Sequence, residues 1–161
     1  MYVDALSLLE DERETFRPYE RLLELTDEQL DRPVEGAGGW SARDLMGHIV
    51  LWQEVALATA KELAVGTESA TMARVEAQWA GSSEAGDAMN EEGIQRFRAM
   101  TPDEVRSAFR LVAGELRGYL TVVPEVRWIK DAAHQNYFLG ETLEHYEEHQ
   151  KELVAILEAA Q

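Results

Sequence analysis

The chain has no cysteine in its 161 residues. Disulfides, thiolate metal ligands and cysteine nucleophiles are therefore excluded, and any metal must rest on histidine, carboxylate, carbonyl or water. Basic residues are scarce: 15 Lys+Arg stand against 31 Asp+Glu, a formal net charge of -16. Nucleic-acid binding needs clustered basic side chains to replace counterions along phosphate, so that class is excluded, and anionic membrane surfaces are disfavoured for the same reason. No run approaches the roughly 18 apolar residues of a membrane span. The opening MYVDALSLLEDERE has no basic leader and no apolar stretch of signal-peptide length. A cytoplasmic protein without membrane association is expected. Proline is rare too, at 4 residues, which leaves long segments free to be helical.

What is present is a hydrophobic fraction of 45%, that of a folded globular chain. The length suits one domain with a real core, spanning 1–161. No internal repeat, low-complexity tract or linker breaks it.

The apolar periodicity is helical throughout. Residues 3–25 carry Leu6, Leu9, Phe16, Leu22 and Leu25 at helical spacings, with Pro18 placed to kink or divide the segment. Thr26 and Gln29 form a capping-box pattern over a short turn that Pro33 closes. EGAGG (35–39) is a loop. Ser41 then caps a second long helix, with Asp44 well placed against its dipole. Leu45, Ile49, Trp52, Ala56, Thr59 and Leu63 mark a buried seam, and Gly66 ends the helix. GSSEAG (81–86) is expected as a loop ahead of a helix at about 87–99. Thr101-Pro102-Asp103-Glu104 is a helix start that leads to about Val123. An irregular stretch with Trp128 follows, then a last helix from Tyr137–Gly140 almost to the end. TVV (121–123) is too short for a strand. The fold class is all-α, and four main helices in one small domain predict a four-helix bundle.

Three histidines carry the chemistry. His145 and His149 stand four apart in EHYEEHQ, on one helix face with Cβ atoms about 5–6 Å apart. His48 lies in GWSARDLMGHIVLWQE, four before Trp52 and beside the Leu45/Ile49 row. His149 joins the Tyr146/Leu153/Ile156 stripe, and His145 lies on its edge. Three convergent imidazoles would leave one coordination position free, as a catalytic metal requires. The alternative is three structural histidines, each bonded to its own carboxylate or carbonyl. His134, in the irregular stretch, reads as surface or pocket-rim. Glu141, one turn before His145, offers a substitute ligand. Asp44, one turn before His48, either caps the helix or orients the His48 ring. Glu144, Glu147, Glu148 and Glu152 read as the wet helix face. The four tryptophans read as core, with Trp40 stapling its loop.

Several of these segments resemble the DinB/YfiT-like superfamily. GWSARDLMGHIVLWQE resembles its helix-two signature, and TLEHYEEHQKEL its terminal helix with the His-x-x-x-His pair. DAMNEEGIQRFRAMTPDEV resembles the segment ahead of helix three, and leans toward the ClbS/DfsB-like branch. The resemblance implies a four-helix bundle of up-down-down-up topology. It implies a divalent metal, zinc or nickel in kind, held by His48, His145 and His149, with Glu141 a substitute in some relatives. It further implies chemistry on a small molecule: hydrolysis by activated water, or S-transfer or isomerisation with a low-molecular-weight thiol as co-substrate. Glu141 and Asp44 are then the candidates for acid–base work. Relatives often form homodimers. Two other functions fit the same residues. One is metal-free binding or sequestration of a small molecule, for self-protection or under stress. The other is a stress-induced interaction protein whose partner prefers an acidic surface.

Overall fold

Local rules set most helix boundaries. The computed structural model describes residues 1–81 and 83–161. Helix α1 (Ala5–Phe16) opens at Asp4, whose carboxylate accepts from Ser7 N at 2.8 Å. Pro18 divides the segment as expected, and the chain continues as a tighter 3₁₀ turn over Arg17–Glu24. Helix α2 (Asp27–Asp31) carries the Thr26/Gln29 capping box. Helix α3 (Ala42–Val65) carries the Ser41/Asp44 box, and helix α6 (Pro102–Val122) the Thr101/Glu104 box. Gly66 ends α3 in an extended rather than a left-handed conformation, its N–H bonded to Glu62 O.

Helix α3 is the axis of the molecule. The predicted seam is buried, but so are Met46, Val50, Val55, Leu57 and Ala60 on its other faces. A surface helix has one apolar stripe; a helix buried all round is the core of its domain. It packs most extensively against α6 and against α5 (Ser83–Arg98). One apolar cluster joins the first half of α3 to Phe16, Phe97, Phe109, Tyr146 and Ile156, and a second joins its other half to Leu8, Leu116, Trp128 and Phe138. Each fully buried side chain of this size contributes about 1.5–3 kcal/mol.

Two expectations are corrected. The 81–86 stretch is not a loop where it is described: α4 (Ala70–Gly81) runs to Gly81 and α5 begins at Ser83, while Ser82 lies outside the described residues. Gly86 lets the Trp79 ring lie against the α5 backbone, since a Cβ there would stand 2.3 Å from it. That interhelix contact overrides the loop composition of the segment. The last helix also starts earlier than expected, at Ala132, and is interrupted twice. Helix α7 (Ala132–Leu139) passes into a π-helical turn over Gly140–Glu144, then α8 (His145–Glu148), a break at His149, and α9 (Gln150–Ala159). At the π turn, the buried Thr142 hydroxyl donates to Phe138 O at 2.5 Å, a back-bond of the kind that bends helices. Among the described residues no strand forms, and no helix is long and apolar enough to cross a membrane.

Candidate metal centre

The interrupted C-terminal helix presents its two histidines to α3. His145 follows the π turn directly. His149 sits at φ -94, ψ 8, in the sparsely populated bridge region where many active-site residues are found. His145 Nε2 lies 2.8 Å from His48 Nε2, and His149 Nε2 lies 2.9 Å from it. The three nitrogens form the one group of potential metal ligands found among the described residues, all within 4.8 Å of one another.

Hydrogen bonding alone leaves this cluster unsatisfied. His48 Nε2 carries either one proton or one lone pair, so it can complete one of its two short contacts. The other contact is then left without a proton or lone pair of its own to complete it. A single cation shared by three unprotonated Nε2 atoms removes that conflict, so the donor set fits a divalent metal. Protonation also favours this arrangement. Burial, reinforced by His149, pushes His48 down to about 3. Burial, reinforced by His48 and His149, pushes His145 down to about 2. Both are neutral at ordinary pH, the form that ligates. With Nε2 facing inward, Nδ1 of all three histidines is buried without a hydrogen-bond partner among the described residues. His149 Nδ1 has the Glu152 carboxylate 3.5 Å away.

The cluster opens on a cavity of about 440 Å³. Trp40 roofs it: its ring centroid lies 5.1 Å from that of His48 and 5.6 Å from that of His149. Gly38 and Gly39, at φ 64 and 88, turn the chain through the left-handed region that glycine alone enters freely, and so deliver Trp40 there. Trp52 and Trp79 form another wall, 6.0 Å apart between centroids. Trp52 donates its indole N–H to Asn90 Oδ1 at 2.9 Å, which leaves the Asn90 amide N–H₂ available to a ligand. Glu141 also lines the cavity, and burial raises its carboxyl to about 7.

The sequence-predicted residues thus separate into two groups. His48, His145 and His149 come together, with Glu141 beside them but outside the ligand cluster. Asp44 is elsewhere. Its carboxylate accepts from Ser41 N at 3.0 Å and from Arg98 Nε at 2.7 Å, in a separate cleft, so it caps α3 and does not orient His48. Burial is the largest single influence and would raise the Asp44 carboxyl, but the hydrogen bonds and charge of Arg98 together with the Ser41 hydrogen bonds outweigh it, and the net shift is downward. His134 lies in the first turn of α7, its Nδ1 2.7 Å from Arg127 O, at the rim of a different cavity. The tryptophans divide as well: Trp52 and Trp128 are core, whereas Trp79 is 45% exposed. Glu152 is not on the wet face but beside His149, and the exposed Glu148 reaches the cavity. The i,i+3 spacing of Glu152 from His149, and of Glu148 from His145, was the signal available for both. Nothing local marked Trp40 or Trp79 as site residues.

These features define a class: an all-helical protein with three imidazoles converging at the mouth of an aromatic cavity. Residues 13–136 match the family described as mycothiol maleylpyruvate isomerase N-terminal domain, and the chain belongs to that family. It is a DinB/YfiT-like family, as the resemblance implied, and its name lies on the thiol-dependent side rather than with the ClbS/DfsB-like branch. The matched segment contains His48 and ends before His145 and His149. Neither a curated protein nor a solved structure matches the chain.

Proposed function

We propose that the protein is a divalent-metal-dependent enzyme that activates a low-molecular-weight thiol of the mycothiol kind and directs it at a small-molecule electrophile. The convergence of three Nε2 atoms, which hydrogen bonding alone cannot satisfy, carries this reading. His48, His145 and His149 would hold the metal, zinc or nickel in kind. When bound, such a cation supplies Lewis acidity that brings the pKa of a thiol or water toward neutrality.

The chain's own residues do the rest. Trp40 and Trp52 cover the histidines and limit water around them. Asn90 offers an amide N–H₂ to a ligand carbonyl or hydroxyl. Glu141, raised to about 7, is poised to take and return one proton near neutral pH. The family favours S-transfer or thiol-assisted isomerisation; hydrolysis by activated water uses the same residues. We further propose that residues 1–161 form one domain of four-helix-bundle type, up-down-down-up, and that it can pair as a homodimer.

Elemental analysis of protein purified without added metal or chelator tests the proposal. Near-stoichiometric metal, absent from His149→Ala that still folds, is expected. Metal-free protein that takes none up on titration would sink it. It would leave the second reading, an organic-ligand binding or sequestration protein, which the tryptophan walls of the cavity favour.

A further inference from the structure

The charge of the cavity does not match the substrate in the family's name. Maleylpyruvate carries two carboxylates. A buried or half-buried carboxylate needs a cation or several N–H donors to replace its water. Among the described residues lining the cavity there is no lysine or arginine. The titratable groups besides the histidines are Glu141 and Glu148, and the surrounding chain has a net charge of -16. Even with a divalent cation at the histidines, the two carboxylates leave no surplus positive charge to hold a dianion. Two arginines of α5 are committed elsewhere, Arg96 to Glu54 at 2.7 Å and Arg98 to Asp44 at 2.7 Å.

The apolar part of the lining points the same way. Trp40, Trp52 and Trp79 present aromatic surface around one space, with Trp52 locked by Asn90. Indole faces attract ammonium groups and stack on flat apolar bodies. Tryptophan walls beside carboxylates are the composition of an ammonium-binding cage. The volume of about 440 Å³ falls in the range of small-molecule sites.

We infer that the cavity takes an amine-bearing, flat apolar small molecule, its ammonium held among the tryptophan faces and the Glu141 and Glu148 carboxylates, and that it rejects dicarboxylates. This rests on the proposed function for its site and names the substrate class. The thiol partner would approach the histidines, and the amine would anchor the electrophile through the flanking carboxylates.

Calorimetric titration of the intact chain with three probes of one shape tests the inference: naphthylmethylammonium, naphthylmethanol and naphthoate. The ammonium is expected to bind about tenfold or more tighter than the carboxylate, with the alcohol between them. Glu148→Gln, at an exposed position, together with the near-isosteric Glu141→Gln should bring that ratio close to one and leave the alcohol unchanged. Equal or tighter binding of naphthoate, a ratio unmoved by the two substitutions, or no binding by any probe would overturn the inference. The same titrations on His149→Ala separate it from the metal reading. A naphthoate preference that vanishes in His149→Ala would show that a cation at the histidines sets the charge preference, which overturns this inference while supporting the metal. An ammonium preference that persists in His149→Ala, in a protein found to hold no metal, supports this inference while the metal reading fails.

Discussion

The buried histidines should make the metal-stripped protein lose stability in acid, by an amount the structure sets. His48 and His145 are held at about 3 and about 2, chiefly by burial. In the unfolded chain each titrates near about 6.5. Between those values the unfolded state binds the proton and the folded state does not. The stabilising contribution is therefore full above about 6.5 and is lost as pH falls below it. Each such group accounts for about 1.4 kcal/mol per pH unit. Glu141 opposes them. Burial raises it from 4.5 to about 7, so its contribution is full below about 4.5 and is lost as pH rises toward 7. Two histidines against one glutamate leave a net slope of about 1.4 kcal/mol per pH unit between about 4.5 and 6.5, or about 3 kcal/mol across the window. Asp44, whose carboxyl is lowered, acts only below that window.

Urea unfolding at half-unit pH steps measures the slope. Glu141→Gln should double it to about 2.7 kcal/mol per pH unit. His48→Asn with His145→Asn should reverse its sign, leaving the Glu141 contribution alone. Identical slopes in the wild type and both variants would refute the reasoning, because they would show that these groups titrate equally in the folded and unfolded chains.

Two further outcomes follow from packing. Gly47→Ala should destabilise by about 1–3 kcal/mol despite its better helix propensity, since the new Cβ would stand 2.7 Å from Phe97 Cβ between α3 and α5. Gly114→Ala, with nothing within 4 Å, should stabilise by about 0.5–1 kcal/mol in the same thermal melts; two shifts of the same sign would overturn the packing argument. Glu12→Gln should cost about 3 kcal/mol in urea, because Glu12 is 1% exposed and pairs Arg117 while accepting from the Tyr146 hydroxyl. A loss below about 1 kcal/mol would mean that solvent screens the pair as it does at a surface.

Much of the helical framework was legible because helix signals are short-range. The three capping boxes at Thr26/Gln29, Ser41/Asp44 and Thr101/Glu104 each involve residues three apart, and all three form. Pro18 divides its segment for a reason internal to one residue and its neighbours. Where local signals failed, a distant contact had overruled them. Residues 83–86, expected as loop, lie in a helix, with Gly86 against the Trp79 ring. Asp44 had two local readings, and Arg98 decided between them from 54 positions away. Glu152 is the exception: its neighbour His149 is three residues away, so that contact is local and its spacing was present in the sequence.

By itself the sequence determined the all-helical class, the inward side of His48, His145 and His149, and the absence of thiolate or basic-surface chemistry. Each is a matter of composition, or of periodicity within a few residues. Tertiary structure alone decided that His48 meets residues 97 and 101 positions away at 2.8 and 2.9 Å, that three tryptophans from three segments wall one cavity, and that acids rather than bases line it. Those outcomes depend on how α3 is buried against its neighbours. Packing sums contacts over the whole chain, whereas a helix signal reaches about one turn.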